Sequence, residues 1–247
     1  MSIVTVKSRK ALSLAGKELY SCLWSPVFYG IAVFFLLFTG VWLFYFQRYF
    51  TLNQASLRPW FAAFPLAFVL VIPVITMRSW AEEWKTGTAE LLLSMPFSEW
   101  DLVLGKYLSA MGIVTALLVL TLPLPFTLSG LGNYDAGVIA GEYLGALLLA
   151  SSSVSLGNLL SSLAKNQGGA FLGCAAVLLV VTMLAQITQS LSLPPALAGF
   201  LSFFSLAFHF ESFSRGLLDS RDLAFFILST ALFLYLNTQT LLYRKWR

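Results

Sequence analysis

The sequence carries six apolar runs, near 27–46, 60–77, 102–128, 138–160, 169–190 and 222–243. Each is close to the ~20 residues that cross a ~30 Å hydrocarbon core as a helix. Inside a bilayer every backbone N–H and C=O must be satisfied within the spanning structure, which leaves helices or a closed barrel. A barrel would show short alternating segments, and these runs are continuous. With 58% hydrophobic and only 11% charged residues and a mean hydropathy of +0.82, a soluble globular domain is excluded. The expected fold is an all-α polytopic membrane protein with six transmembrane helices, forming one domain over 1–247.

The basic residues set the orientation. With the N-terminus inside, the cytoplasmic segments hold Lys7, Arg9, Lys10, Lys17, Arg78, Lys85, Lys106, Lys165, Arg244, Lys245 and Arg247. The outer segments hold Arg48, Arg58, Arg215 and Arg221. This bias places both termini, the 78–101 segment and the 162–168 loop in the cytoplasm. The net charge of +4 is spread over membrane-flanking positions, so no nucleic-acid footprint is present. Cys22 and Cys174 fall at or near the reducing side and read as packing residues.

Residues 8–25 mix Lys17 and Glu18 with leucines and Trp24, the pattern of an N-terminal interfacial helix, and Pro26 suits the start of the first span. That first run reads as a retained signal anchor. Pro65, Pro73, Pro123 and Pro125 predict kinks or local unwinding in spans two and three. Gly141, Gly145, Ser151, Ser152, Ser153, Ser155 and Gly157 predict close helix packing around span four. Ala196–Phe210 is too short to cross comfortably, so 191–221 is expected to form a re-entrant or outer helical segment after Pro194 and Pro195.

Between spans two and three lies a polar interruption, residues 78–96. Its five ionised groups, Arg78, Glu82, Glu83, Lys85 and Glu90, would cost roughly 2.5–3.5 kcal/mol each at a span centre, on the order of 12 kcal/mol or more together. The segment therefore lies outside the bilayer. As one helix it would align Trp80, Trp84 and Leu91, offering rings to a partner. Gly87 inside that helix would cost about 1 kcal/mol, which suggests close packing there. An ordinary interfacial helix with solvated acids fits equally well. Pro96 ends the helix, and Ser98 reads as the N-cap of the next span with Glu99 and Asp101 in its first turn.

The other polar residues carry less chemistry. His209 stands beside Glu211, and a lone histidine with one acid does not make a zinc site. Glu142 fits a polar pathway or interfacial snorkelling equally well. No catalytic pair, metal site or cofactor site emerges. No Gly-x-x-x-x-Gly-Lys-Ser/Thr loop occurs, so ATP-driven work would come from another subunit.

Three blocks resemble permease subunits of ABC-2 type transporters, especially the gliding-motility GldF-like and NosY-like branch. They are Lys17-Glu18-Leu19 with Ser25-Pro26-Val27-Phe28-Tyr29, the run Thr76–Pro96 continuing to Leu104-Gly105-Lys106, and His209–Asp222. The second matches that family's Glu-Glu-x-x-x-Gly-Thr-x-Glu-x-Leu-Leu pattern in a cytoplasmic coupling helix. It departs at Trp84, where related sequences often carry Lys or Arg.

The resemblance implies a permease that forms a translocation path, pairs with a second copy or a sister permease, and couples to a separate ABC ATPase subunit holding ATP and Mg. It implies an exporter in a prokaryotic inner membrane, surrounded by lipid. The docking role falls on Glu82, Glu83, Gly87, Thr88 and Glu90, with Arg78 and Lys85 as ion-pair partners. The competing readings are an autonomous channel or ion-coupled carrier, and a structural membrane anchor for a cytoplasmic complex.

Overall fold

The computed structural model describes residues 3–47, 56–95, 97–130, 134–191, 194–216 and 219–245. Arg48, Pro96, Leu217, Leu218 and Arg247 lie outside the described residues, as do the side chains of Lys7, Arg9, Lys10, Pro195 and Lys245. All regular structure among the described residues is helical. In chain order come α1 (Ile3–Leu23), α2 (Pro26–Val41, ending in a π-helical turn at Trp42–Phe46), α3 (Arg58–Phe61), α4 (Phe64–Thr76), α5 (Ala81–Thr86), α6 (Thr88–Ser94) and α7 (Glu99–Thr121). Then follow α8 (Pro123–Ser129), α9 (Ala136–Leu163), α10 (Gln167–Ser190), α11 (Pro195–Ser202), α12 (Leu206–Ser214) and α13 (Ser220–Lys245). Six stretches are long and apolar enough to cross a membrane: Pro26–Phe46, Arg58–Thr86, Glu99–Leu128, Ala136–Leu163, Gln167–Ser190 and Ser220–Arg244.

The helix starts follow from side chains that satisfy orphan amides. The Ser25 hydroxyl accepts from Val27 N ahead of Pro26. Ser98 and Asp101 form a reciprocal capping box at the start of α7, as the sequence predicts for Ser98. Asp135 caps α9 through Gly137 N, and Asn166 caps α10 through Gly169 N. The prolines act unequally. Pro65 and Pro123 each lie at the first or second position of a new helix, after breaks at Ala62 and Leu122, whereas α4 runs through Pro73 without unwinding.

α1 starts five residues before the expected 8–25 helix and packs lengthwise on α7. A Cβ on Gly105 would meet Leu14 at 2.8 Å, and one on Gly112 would meet Leu19 at 2.9 Å. The glycines thus let α1 approach α7 closely.

α9 is the spine of the bundle, in contact with α4, α7, α10, α12 and α13. Its small residues are used selectively. A Cβ on Gly145 would stand 2.6 Å from Phe213, and one on Gly157 2.5 Å from Thr76, while Gly141 has open space around it. Phe35, Trp60, Phe61, Phe64 and Phe68 are buried and pack ring against ring, with Tyr143 closing on Phe61 at 5.0 Å.

The expected 191–221 segment is a bent pair, α11 and α12, turned by 77°. His209 holds it to α13. Its Nδ1 meets Asp222 at 2.6 Å, Nε2 donates to the Phe203 carbonyl at 2.7 Å, and the ring stacks on Phe225 at 3.8 Å. The partner of His209 is therefore Asp222. Glu211 pairs instead with Arg215 and Arg58. Two residues apart on one helix, His209 and Glu211 point in different directions.

The packing of α9 predicts opposite outcomes for two like substitutions. Gly145→Ala should destabilise the detergent-solubilised protein by about 1–3 kcal/mol through overpacking against Phe213. Gly141→Ala should leave the thermal midpoint unchanged or slightly raised.

Candidate functional site: the polar segment between spans two and three

The 78–96 run does not form one helix. α5 and α6 meet at Gly87, whose φ of +74° lies in the left-handed region. That conformation ends α5 and costs an L-residue roughly 1–2 kcal/mol, but glycine almost nothing. Thr86 and Thr88 reinforce the break: the Thr86 hydroxyl bonds the Glu82 carbonyl at 3.0 Å and the Thr88 hydroxyl at 2.9 Å. Within the chain itself nothing packs on this glycine, since a Cβ at Gly87 would meet nothing within 4 Å.

The expected aromatic docking face is also corrected. Trp80 is wholly buried, in a small apolar cluster with Leu102 and Val103 of α7 and Leu234 and Leu241 of α13. Trp84 packs against that cluster, with the Arg244 guanidinium over its ring at 4.8 Å. Only Leu91 stays open, at 62% exposure. The turn at Gly87 breaks the helical register between Trp84 and Leu91, and the two tryptophans anchor the segment to its own bundle.

The amides that begin α5 are held from the far side of the chain. Ser161, near the C-terminal end of α9, accepts from Trp80 N at 3.1 Å and from Ala81 N at 3.2 Å. Arg244 also donates to the Leu163 carbonyl at 2.8 Å, so α5, α9 and α13 converge at one point.

The dominant electrostatic feature is Lys106. Its side chain is only 3% exposed, yet its ammonium lies 2.6 Å from Glu83, 3.0 Å from Glu18 and 4.8 Å from the Trp80 ring centroid. A buried ammonium is tolerated only when paired, and here two partly buried carboxylates and an indole face satisfy it. One cation thereby ties α1, α5 and α7 together. Around it lies a cavity of about 510 Å³ whose lining includes Lys17, Arg78, Glu82 and Cys22. Burial pushes the Cys22 thiol above its ordinary range, Arg78 pulls it back, and Glu18 adds to the rise. A protonated thiol suits the packing role read from the sequence.

The seven residues singled out in the sequence thus divide into two sets. Arg78, Glu82 and Glu83 line the cavity, and Glu83 is committed to Lys106 instead of Arg78 or Lys85. Lys85, Gly87, Thr88 and Glu90 stand exposed at the tip. Sequence reasoning missed the roles of Glu18, Lys106, Ser161 and Arg244. The available signal was a lysine inside an apolar run, counted there only for orientation.

Glu142 is buried near the N-terminal end of α9, with one carboxyl oxygen lacking a partner among the described residues. Its burial removes the snorkelling reading.

The triad makes a specific stability prediction. Lys106→Met should cost about 3 kcal/mol, because two carboxylates lose their shared partner. Glu18→Gln should cost less, since Lys106 keeps Glu83. Thermal unfolding of the purified variants measures both.

The family described as ABC-2 family transporter protein matches residues 45–238 of the chain. No curated protein matches it. The match covers well over half of the sequence, so the chain belongs to the ABC-2 transporter family, as a multi-pass permease component of an ABC transporter. Permeases of this family generally work with an ATPase subunit and often dimerise.

Proposed function

We propose that this ABC-2 family permease docks a separate ATPase subunit through the tip formed by α5, Gly87 and α6, and exports its cargo across a cell inner membrane with both termini in the cytoplasm. The observation that carries the reading is the way the tip is mounted. Its outward surface presents Lys85, Thr88, Glu90 and Leu91, whereas its inward surface is fixed by Trp80, by Ser161 and by the Glu83–Lys106–Glu18 triad. A push on the tip therefore bears on α1, α7 and α9 together.

The docking set is revised accordingly. Lys85, Gly87, Thr88 and Glu90 meet the partner, with Glu82 at the edge, while Glu83 transmits through Lys106 and Arg78 lines the cavity. ATP and Mg belong to the partner, since this chain has no phosphate-cradling loop. The path is completed by a second copy or a sister permease, in the GldF-like and NosY-like branch that the sequence blocks resemble. ATP can drive the permease only if the tip's contacts differ between the ATP-bound and nucleotide-free partner.

Purification from native membranes in mild detergent tests docking. A Walker-A ATPase at about one copy per permease is expected, and the double reversal Lys85→Glu with Glu90→Lys should release it while the permease stays folded. A particle without ATPase would overturn the reading.

Coupling has its own test. Gly87→Trp forces a side chain into the left-handed position and projects an indole from the tip. ATPase activity in the reconstituted complex should then persist while transport falls at least tenfold, and wild-type coupling would contradict the proposal.

A further inference from the structure

The bend between α11 and α12 and the flank of α13 enclose a groove of about 450 Å³. Its walls are Phe203, Phe204, Phe225, Leu228, Leu232 and Phe233, and Arg221 stands at one end. We propose that this groove holds one acyl chain of an anionic membrane lipid, with the lipid headgroup paired to Arg221.

Three observations select that occupant. The first is charge. Arg221 is exposed, and its guanidinium has no ion pair within 4 Å among the described residues. Its neighbour Asp222 is already committed to His209. A lone cation at the mouth of an apolar slot suits an acidic headgroup carrying a hydrocarbon tail.

The second is length. Arg221 and Leu232 both lie on α13, eleven positions apart (232 − 221), which is roughly 16 Å along a helix axis. That is about half of a ~30 Å hydrocarbon core, the depth of one leaflet. The groove thus runs from a headgroup-level cation to the midplane, as a single chain of one monolayer would.

The third is preorganisation. Partway down the groove the Ser152 and Ser229 hydroxyls bond each other at 2.8 Å, so neither is left unpaired against the chain. The aromatic wall is fixed by His209, which stacks on Phe225 and bonds the Phe203 carbonyl, and by Ser205, which donates to the Thr182 carbonyl at 2.9 Å. A rigid slot spares the bound chain the cost of ordering its site.

The site does not depend on ATPase docking, and its test uses the permease alone. The full chain is placed in nanodiscs containing equal mole fractions of phosphatidylglycerol and phosphatidylcholine analogues, each with a diazirine in the acyl chain, and the labelled peptides are mapped after photolysis. Label should fall on 203–206 and 221–233, with phosphatidylglycerol favoured about fivefold.

Leu228→Trp, at an exposed position, should fill the groove and cut that label at least fivefold. Arg221→Gln should keep the label but bring the headgroup preference close to one. Equal labelling by both lipids in the wild type, or undiminished label in Leu228→Trp, overturns the proposal. So does a disulfide-linked dimer formed by Leu228→Cys in native membranes, which would give the groove to a second copy of the chain.

Discussion

The ammonium of Lys106 is the constraint on which the half of the structure around α5 depends. A charge this deeply buried loses its water shell, and the loss is recovered only if carboxylates are held at hydrogen-bond distance. Glu83 and Glu18 meet that need from helices far away in sequence, 23 and 88 positions from Lys106. Satisfying one ion therefore fixes the placement of α1 and α5 on α7. Gly105 and Gly112 allow it geometrically, by letting Leu14 and Leu19 reach the α7 backbone.

The two ends of the bundle are held by different physics. The end that carries α5 is joined by charge and by backbone capping, through Lys106, Ser161 and Arg244. The other end is joined by aromatic contact and by one histidine bridge. Between them, α9 and α13 run in the same sense, since contacts from Ser151–Thr230 to Leu163–Arg244 advance along both helices together. Hydroxyl pairs at Ser151–Thr230 and Ser152–Ser229 mark this seam, with Tyr107 of α7 joining at Ser151. In an apolar setting such bonds fix register without requiring a large buried side chain.

Much of the fold was legible because its determinants are local. Runs of about 20 apolar residues have one outcome in a bilayer, and Pro26, Ser98 and the Pro194–Pro195 step mark helix starts by their own chemistry. A re-entrant or outer helical segment after span five was legible from its length and from the charge bias, whereas its 77° bend was not. The candidate site was only half legible. Its exposed tip could be located from clustered charge, but helical periodicity carried across Gly87 placed Trp80, Trp84 and Leu91 on one face. A glycine between two threonines reads equally as a weak helix position or as a left-handed break, and only the fold decides. Lys106, Ser161 and His209 were misjudged for another reason: their partners are separated from them by 13 to 88 positions, so no local pattern encodes the pairings.

The central claim is that the segment proposed to dock is bonded to the bundle and does not merely lie at its surface. Amide hydrogen exchange over residues 79–86 of the purified permease measures this directly. The account predicts slow exchange at Trp80 and Ala81 in the wild type, and at least tenfold faster exchange there in both Ser161→Ala and Lys106→Met, with α10 unchanged. Fast exchange in the wild type, or no response to either substitution, would contradict it.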